Sequence, residues 1–423
     1  MTAQVSTPGF VTGRLGITLA VRPGSPGAEP FAGAVEIGLR RNPKRAQLLV
    51  SRVLGKHVPV PVANVRAAAE ELGRCVRTAC AGRTPVVVGF AETATGLGHG
   101  VAAVSAADGG PAPYLHTTRR PAPPGARVVR FAEEHSHAVD QSLVLLDDAD
   151  LRDGRPLVLV DDELTTGTTA VNAIRALHAS WPRELYVLAS LLDCRGEQRR
   201  VEVTAAVRDL GATALSVALL DGRVELPPGA LAQARDLAES LPAAAGGRQA
   251  EPAPVRWHDL ELPAGLPATA RHGWGRAQER AAAGAMAALA ASLPVGRDHR
   301  TLVLGDEELM YLPQLLAAAL GGEVRSSTTT RTPAVAHDAP GYPLRTVLAF
   351  PATEDGNRPA YAYNVAASGH PEPGNAPGFD DIVLVTDARD RPHAAAVAAE
   401  LSSCAAGRAH VVMLRAGERR AAW

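Results

Sequence analysis

The stretch Leu157–Thr169, LVLVDDELTTGTT, constrains this chain more than any other. Leu157–Val160 is an unbroken run of branched apolar residues, the pattern of a strand buried on both faces. Two carboxylates end the run, and small hydroxyl residues with Gly167 follow. The apolar spacing of Thr169–Ala179 is then helical. A doubly buried strand that feeds a helix belongs to an α/β architecture with a parallel sheet covered on both sides. Such sheets bind ligands at their carboxyl edge, where Asp161 and Asp162 fall.

The alternation recurs along the chain. Val65–Ala81 has helical spacing, and Pro85–Phe90, Pro113–His116, Arg155–Val160, Tyr186–Leu192 and Thr213–Leu220 read as apolar strands. In the second half a strand at Arg300–Leu304 opens into an amphipathic helix over Gly305–Leu320. Asp381–Thr386 is a strand before an Ala-rich helix, and His410–Leu414 closes the pattern. At 423 residues one core is not the default, and two domains are expected. Leu241–Pro254, LPAAAGGRQAEPAP, is poor in large apolar residues and reads as a linker. The expected division is an N-terminal arm over 1–35, an α/β domain over 36–240, a linker over 241–255 and a smaller α/β domain over 256–423.

Composition excludes several classes. Net charge is −1 with only 4% aromatics, so neither clustered cations nor stacking platforms for nucleic acid are present. No apolar run is long enough to span a bilayer, and Met1–Phe10 lacks the pattern of a secretory signal. Cys75, Cys80, Cys194 and Cys404 form no zinc or CxxC spacing, which fits reduced thiols in a cytoplasmic protein. Lys44 and Lys56 are the only lysines, and both fall in the segment Arg40–His57. A GC-rich codon bias explains the arginine excess but not that shared location.

The loop itself suggests a ligand. Thr165, Thr166, Gly167, Thr168 and Thr169 let successive backbone N–H groups converge on one anion at a helix N-terminus. Asp161 and Asp162 would repel that anion, so they suit sugar hydroxyls or a hydrated metal ion. A phosphate at one end and a diol at the other describes ribose 5-phosphate. A P-loop would need a lysine here, and a dinucleotide fingerprint would need three spaced glycines. A strand–turn–helix connection capped by Asp and Thr is the bland alternative.

These residues resemble the 5-phosphoribosyl pyrophosphate (PRPP) motif of type I phosphoribosyltransferases. The resemblance implies a parallel-sheet domain of that fold, with Asp161 and Asp162 on the ribose hydroxyls and residues 165–169 on the 5-phosphate. It places pyrophosphate on the loop after Pro85–Phe90, at Glu92, Thr93, Ala94 and Thr95, with Arg119 and Arg120 as bidentate partners. It implies Mg2+, held through water or ribose hydroxyls by Asp161 and Asp162. Orotate-type members share the threonine at position 165, where purine-salvage members have aspartate. Glu163 stands where an apolar residue is common in the family.

The phrases RRNPKR, LGKH, GFAETATGLGH, HTTRR, EEHSHA and VDDELTTG are similar to phosphoribosyltransferases associated with tellurium-resistance gene clusters. Those carry a C-terminal domain named for a Thr-Arg-Ser-Pro motif, matched here by Thr330-Arg331-Thr332-Pro333. The resemblance implies a bacterial stress-linked biosynthetic enzyme with a small-molecule acceptor. A homodimer and enzymes of the same gene cluster are its candidate partners. Pro121–Gly125 reads as the base of a flap, and Glu133, Glu134, His135 and His137 within it suit proton transfer or metal ligation. His135, Lys44 and Lys56 are candidate assistants in catalysis. In the second half Asp306, Thr329, Thr330 and Arg331 suit a phosphate or carboxylate, or a polar turn. Two rival functions use the same pocket: a non-catalytic PRPP or nucleotide sensor, and a nucleotide hydrolase or phosphorylase.

Overall fold

The computed structural model describes residues 4–5, 9–31, 33–42, 46–132, 140–242, 244, 247–352, 357–370, 378–387 and 391–416. Among these residues two large sheets organise the molecule. In the first, Thr213–Glu225, Leu185–Asp193, Leu157–Leu164, Val86–Gly89 and Tyr114–His116 lie side by side and parallel. Thr18–Val21 adds antiparallel to Thr213–Glu225, and Gln4–Val5 pairs with Thr18–Val21. Part of the segment 1–35 is therefore sheet edge.

Period-two alternation explains why both faces are covered. Val158 and Val160 pack on the side of helices Val62–Ala79 and Ala94–Ala102, through Leu72, Val76, Leu97 and Val101. Leu157 and Leu159 pack on the opposite side, against Ile174 and Leu177 of helix Thr168–His178 and Val203 and Val207 of helix Glu197–Arg208. The continuous apolar run in the sequence is thus two interleaved core faces.

The second sheet runs Val255–Glu261, Ala405–Arg415, Phe379–Thr386, Thr301–Gly305 and Val324–Thr328, all parallel. Its last strand is Val60–Pro61, antiparallel to Val324–Thr328 and drawn from the first half of the chain. The core cluster of Leu72 and Leu97 also contains Met286, Leu312, Leu316 and Val383. One continuous apolar core therefore ties the two sheets together, and relative motion of the two halves would have to break it.

The helix expected over Gly305–Leu320 begins only at Tyr311. Asp306–Met310 is instead a turn, closed by the Leu309 N–H donating to the Asp306 carbonyl at 3.0 Å, with Glu307 at φ +52°. Three consecutive carboxylates, Asp306, Glu307 and Glu308, so leave the carboxyl edge of the second sheet and stay buried. No helix among the described residues is long and apolar enough to cross a membrane.

Candidate functional site

The first sheet reverses its strand order beside Val86–Gly89. From that strand the chain goes to Tyr114–His116 on one side and then crosses to Leu157–Leu164 on the other. Pairing between Val86–Gly89 and Leu157–Leu164 ends at Gly89 and Val160, and beyond it the two strands part. A crevice at this switch point is where open α/β sheets bind ligands. A cavity of about 520 Å³ opens there, lined by Asp161–Gly167, Thr169 and Ala170 on one side and Ala91, Glu92 and Thr93 on the other.

The acidic pair sits on the last residues of its strand. The Asp162 N–H donates to Asp161 Oδ1 at 2.9 Å, and the Glu163 N–H donates to Asp162 Oδ1 at 3.2 Å. Burial first, and then the Asp162 charge, push the Asp161 carboxyl well above the usual carboxylate range. A cation or sugar hydroxyls between the two would relieve that repulsion.

The loop that follows has a fixed backbone shape at a helix N-terminus, the kind of place where anions bind. Gly167 has φ +82° and begins helix Thr168–His178, while Thr166 Oγ1 accepts the Thr168 N–H at 3.2 Å. A Cβ on Gly167 would stand 2.8 Å from Val203 Cγ2 and 3.3 Å from Arg195 Cδ, so only glycine fits. Arg195 is itself fixed by a buried pair with Asp193 at 2.7 Å. Gly167→Ala is accordingly expected to weaken ribose 5-phosphate binding about tenfold, from roughly 1–2 kcal/mol of left-handed backbone strain plus the clash. Calorimetry with ribose 5-phosphate checks this, and unchanged affinity would refute it.

Across the crevice, Ala91 is pinned by its N–H to Thr117 Oγ1 at 2.8 Å and by Gln141 Nε2 donating to its carbonyl at 3.1 Å. The Ala91–Glu92 peptide bond is cis. Glu92 and Thr93 line the cavity, whereas Ala94 and Thr95 form the first turn of a buried helix and do not. The loop expected after Pro85–Phe90 thus gives way to that helix at Ala94. Thr168 is likewise absent from the lining.

The two arginines separate. Arg119 lines the cavity, but Arg120 turns to the second sheet and makes a bidentate pair with Asp387, both oxygens at 2.9 Å. Arg120 therefore does not join the site residues: the chain bends at Arg119 and Arg120, just past the strand Tyr114–His116, and the two side chains leave it in different directions. His135, its acidic neighbours, His137 and Lys44 lie outside the described residues. The two strands on either side of the segment with His135 and His137, Arg127–Ala132 and Asp140–Leu145, lie within them and pair antiparallel. Lys56 lines the cavity and donates to Thr93 Oγ1 at 2.5 Å.

The candidate cluster in the second half divides as well. Asp306 and Thr329 are buried away from the cavity, with Asp306 accepting from Thr329 Oγ1 at 3.2 Å and Thr386 Oγ1 at 2.8 Å. Burial pushes the Asp306 carboxyl up to about 6. Thr330 Oγ1 donates to Glu92 Oε2 at 2.7 Å, and Arg331 lines the same cavity as Asp161. These residues form no separate site; two of them serve the first.

Sequence reasoning missed His57, Arg358 and Tyr361, all on the cavity wall. His57 is buried, its Nε2 has no partner, and burial with Lys56 and Arg40 nearby keeps the ring neutral at pH 7. The placing of both lysines in Arg40–His57 was the one signal that pointed to this wall.

The donor set also bears on the metal. Among the described residues no group of three or more His, Cys, Asp or Glu side chains forms a cage. A pair of hard carboxylate oxygens without a cage suits Mg2+, which keeps several waters and binds through one or two carboxylates plus substrate oxygens.

Residues 34–223 match the family described as phosphoribosyl transferase (PRTase_2), and residues 268–401 match the TRSP domain found C-terminal to it. No curated protein matches the chain. Among solved structures, adenine phosphoribosyltransferase from Trypanosoma brucei is 14% identical, covering 47% of this chain and 81% of its own with a TM-score of 0.33. The enzyme from Rhodothermus marinus is 18% identical, with coverage of 45% and 97% and a TM-score of 0.32. That from Saccharomyces cerevisiae is 14% identical, with 46% and 98% and a TM-score of 0.31. The parallel sheet whose switch-point crevice holds an acidic pair and a glycine-threonine loop lies within the first of these matches, so the chain carries a phosphoribosyl transferase domain over residues 34–223, followed over 268–401 by the TRSP domain.

Proposed function

We propose that the chain transfers the ribose 5-phosphate unit of PRPP, with Mg2+, to a base-like acceptor and releases pyrophosphate. The observation that carries this is the single cavity in which Asp161 and Asp162 face a loop shaped for one phosphate and a second loop backed by Arg119 and Lys56. In this reading backbone N–H groups of residues 165–169 bind the 5-phosphate. Asp161 and Asp162 orient the ribose 2- and 3-hydroxyls and stabilise positive charge on the sugar as the C1–O bond lengthens. Glu92, Thr93 and Arg119 surround the pyrophosphate end. Bound magnesium would supply electrostatic neutralisation of the diphosphate, with Asp161 and Asp162 as its protein contacts through water or the ribose hydroxyls.

His57, neutral and facing the same space, is suited to accept a hydrogen bond from an acceptor N–H. The similarity of the chain's phrases to tellurium-resistance-linked relatives supports a stress-linked biosynthetic role in bacteria, with enzymes of the same gene cluster as partners. The test is calorimetry of PRPP with and without Mg2+, followed by an assay of labelled PRPP with a panel of heteroaromatic bases. Metal-dependent PRPP binding and base-dependent pyrophosphate release are expected. Binding with no turnover would favour a sensor, and release of ribose phosphate from a nucleotide without PRPP would favour a hydrolase or phosphorylase.

A further inference from the structure

The second domain reaches into this site in a specific way. Arg331, the arginine of its Thr-Arg-Thr-Pro stretch, lies on the cavity wall beside Glu92. Its backbone N–H is 3.3 Å from Glu92 Oε2, and its Nε is 3.4 Å from Glu92 Oε1. Glu92 is the residue of the first domain that leads the loop opposite the acidic pair. Lys56, on the same wall, meets Thr93 of that loop and also accepts, through its carbonyl, a bond from Ser327 of the second domain. Arg331 from the second domain and Lys56 from the first thus stand on the same wall of the cavity.

The guanidinium is held as a tool would be. Glu307, buried and on left-handed backbone, takes Arg331 Nε at 2.9 Å and Nη2 at 2.7 Å, and Arg358 Nη2 at 2.5 Å. That clamp uses one edge of the Arg331 fork and leaves the Nη1 donors on the other edge. Glu307 and Glu92 offset the charges of Arg331 and Arg358, and Lys56 and Arg119 line the same cavity. A side chain needed only to join two domains has no reason to line the cavity with a free donor edge.

We propose that Arg331 of the TRSP domain is a binding and catalytic residue for the pyrophosphate group, so that phosphoribosyl transfer needs a guanidinium from the second domain. This rests on the PRPP reading of the site. In the transfer the bond between C1 and the pyrophosphate oxygen breaks, and its electron pair stays on that oxygen. The lone pair of a heteroaromatic nitrogen closes on C1, and that nitrogen releases its proton to water. Arg331 acts on the first event, by donating to the diphosphate oxygens as their charge rises.

The experiment uses the full chain with Mg2+ and three probes, PRPP, pyrophosphate and ribose 5-phosphate. Arg331→Gln is expected to weaken pyrophosphate and PRPP at least about tenfold, the loss of one charge-assisted contact, and to leave ribose 5-phosphate unchanged. Equal pyrophosphate affinity in wild type and variant would overturn the proposal, and so would an equal loss for ribose 5-phosphate. Should the variant not fold, amide exchange on the wild-type chain decides. Pyrophosphate is expected to slow exchange at residues 329–332, with ribose 5-phosphate leaving it unchanged, and no slowing by pyrophosphate would refute the assignment. A wild-type chain that binds none of the three probes would overturn the reading of the site, and this inference with it.

Discussion

Replacing Asp161 and Asp162 together by asparagine is expected to cut turnover by about a thousandfold or more while leaving the chain at least as stable as wild type. The catalytic loss follows from charge. Asparagine keeps the Oδ1 acceptors that hold the Asp162 and Glu163 N–H groups at 2.9 and 3.2 Å. It removes both negative charges that would face the developing positive sugar and the hydrated cation. The stability gain follows from the same pair. An Asp161 carboxyl pushed above its ordinary value of 3.8 keeps its proton in the folded chain after the unfolded chain has lost it, so a penalty builds as pH rises from 3.8 and is complete above the shifted value. Removing the carboxylate removes that cost, so any excess stability should appear at neutral pH and vanish in acid. Pyrophosphate release from labelled PRPP, beside thermal unfolding at two pH values, reads both effects. A variant with wild-type turnover would refute the assigned role.

What the sequence disclosed and what it hid divide along a physical line. Leu157–Thr169 was legible because everything it does is local. An apolar run makes the strand, adjacent acids end it, and small residues with a left-handed glycine turn it into a helix. Arg119 and Arg120 show the first limit. Both are basic and both follow a strand, but a bend in the chain sends one to the cavity and the other to Asp387, and nothing in the letters says which. Ala94 and Thr95 show a second. Gly96, Gly98 and Gly100 have the composition of a loop, yet they are close-packed positions around a helix, against Gln314, Tyr114 and Ala69 in turn, with a Cβ on Gly98 falling 2.8 Å from the Tyr114 ring.

Arg331, Arg358 and Tyr361 show the deepest limit. They lie far along the chain from Asp161 and share its cavity only because Val60–Pro61 completes the second sheet and one core spans both sheets. Sequence periodicity reports which face of an element is buried, not which distant element covers it. The two lysines hinted at that junction, since Lys56 sits four residues before the crossing strand, and the hint had no local pattern to complete it.

Glu308 is a buried acid at this junction. Its buried carboxylate accepts from Thr118 Oγ1 at 2.7 Å and from the Arg119 N–H at 2.9 Å, and it faces Arg271 Nη2 at 3.4 Å. It joins the turn of the second sheet to the strand end that carries Arg119 and the root of the flap. Burial alone would raise its pKa. Arg271, Arg120 and the Arg119 N–H outweigh burial and hold the group down at about 2. His116 assists only below about pH 4, where its buried ring is charged. Glu308→Ala should therefore cost roughly 3–5 kcal/mol at neutral pH, because Arg271 is left facing no charge and two donors lose their acceptor. The sign of the pH dependence is fixed by the depressed value. The stabilisation is complete above the ordinary 4.5 of a glutamate and is lost as pH falls toward 2, a span equivalent to roughly 3 kcal/mol. Glu308→Gln keeps one acceptor oxygen, so it should fold at neutral pH, lose less than alanine, and flatten the wild-type decline between pH 4.5 and 2. Denaturant unfolding of the three chains across that window tests this. An alanine variant as stable as wild type at pH 7 would mean that the carboxylate does not hold the two halves together, and that its bond to the Arg119 N–H does not fix the strand end beside the cavity.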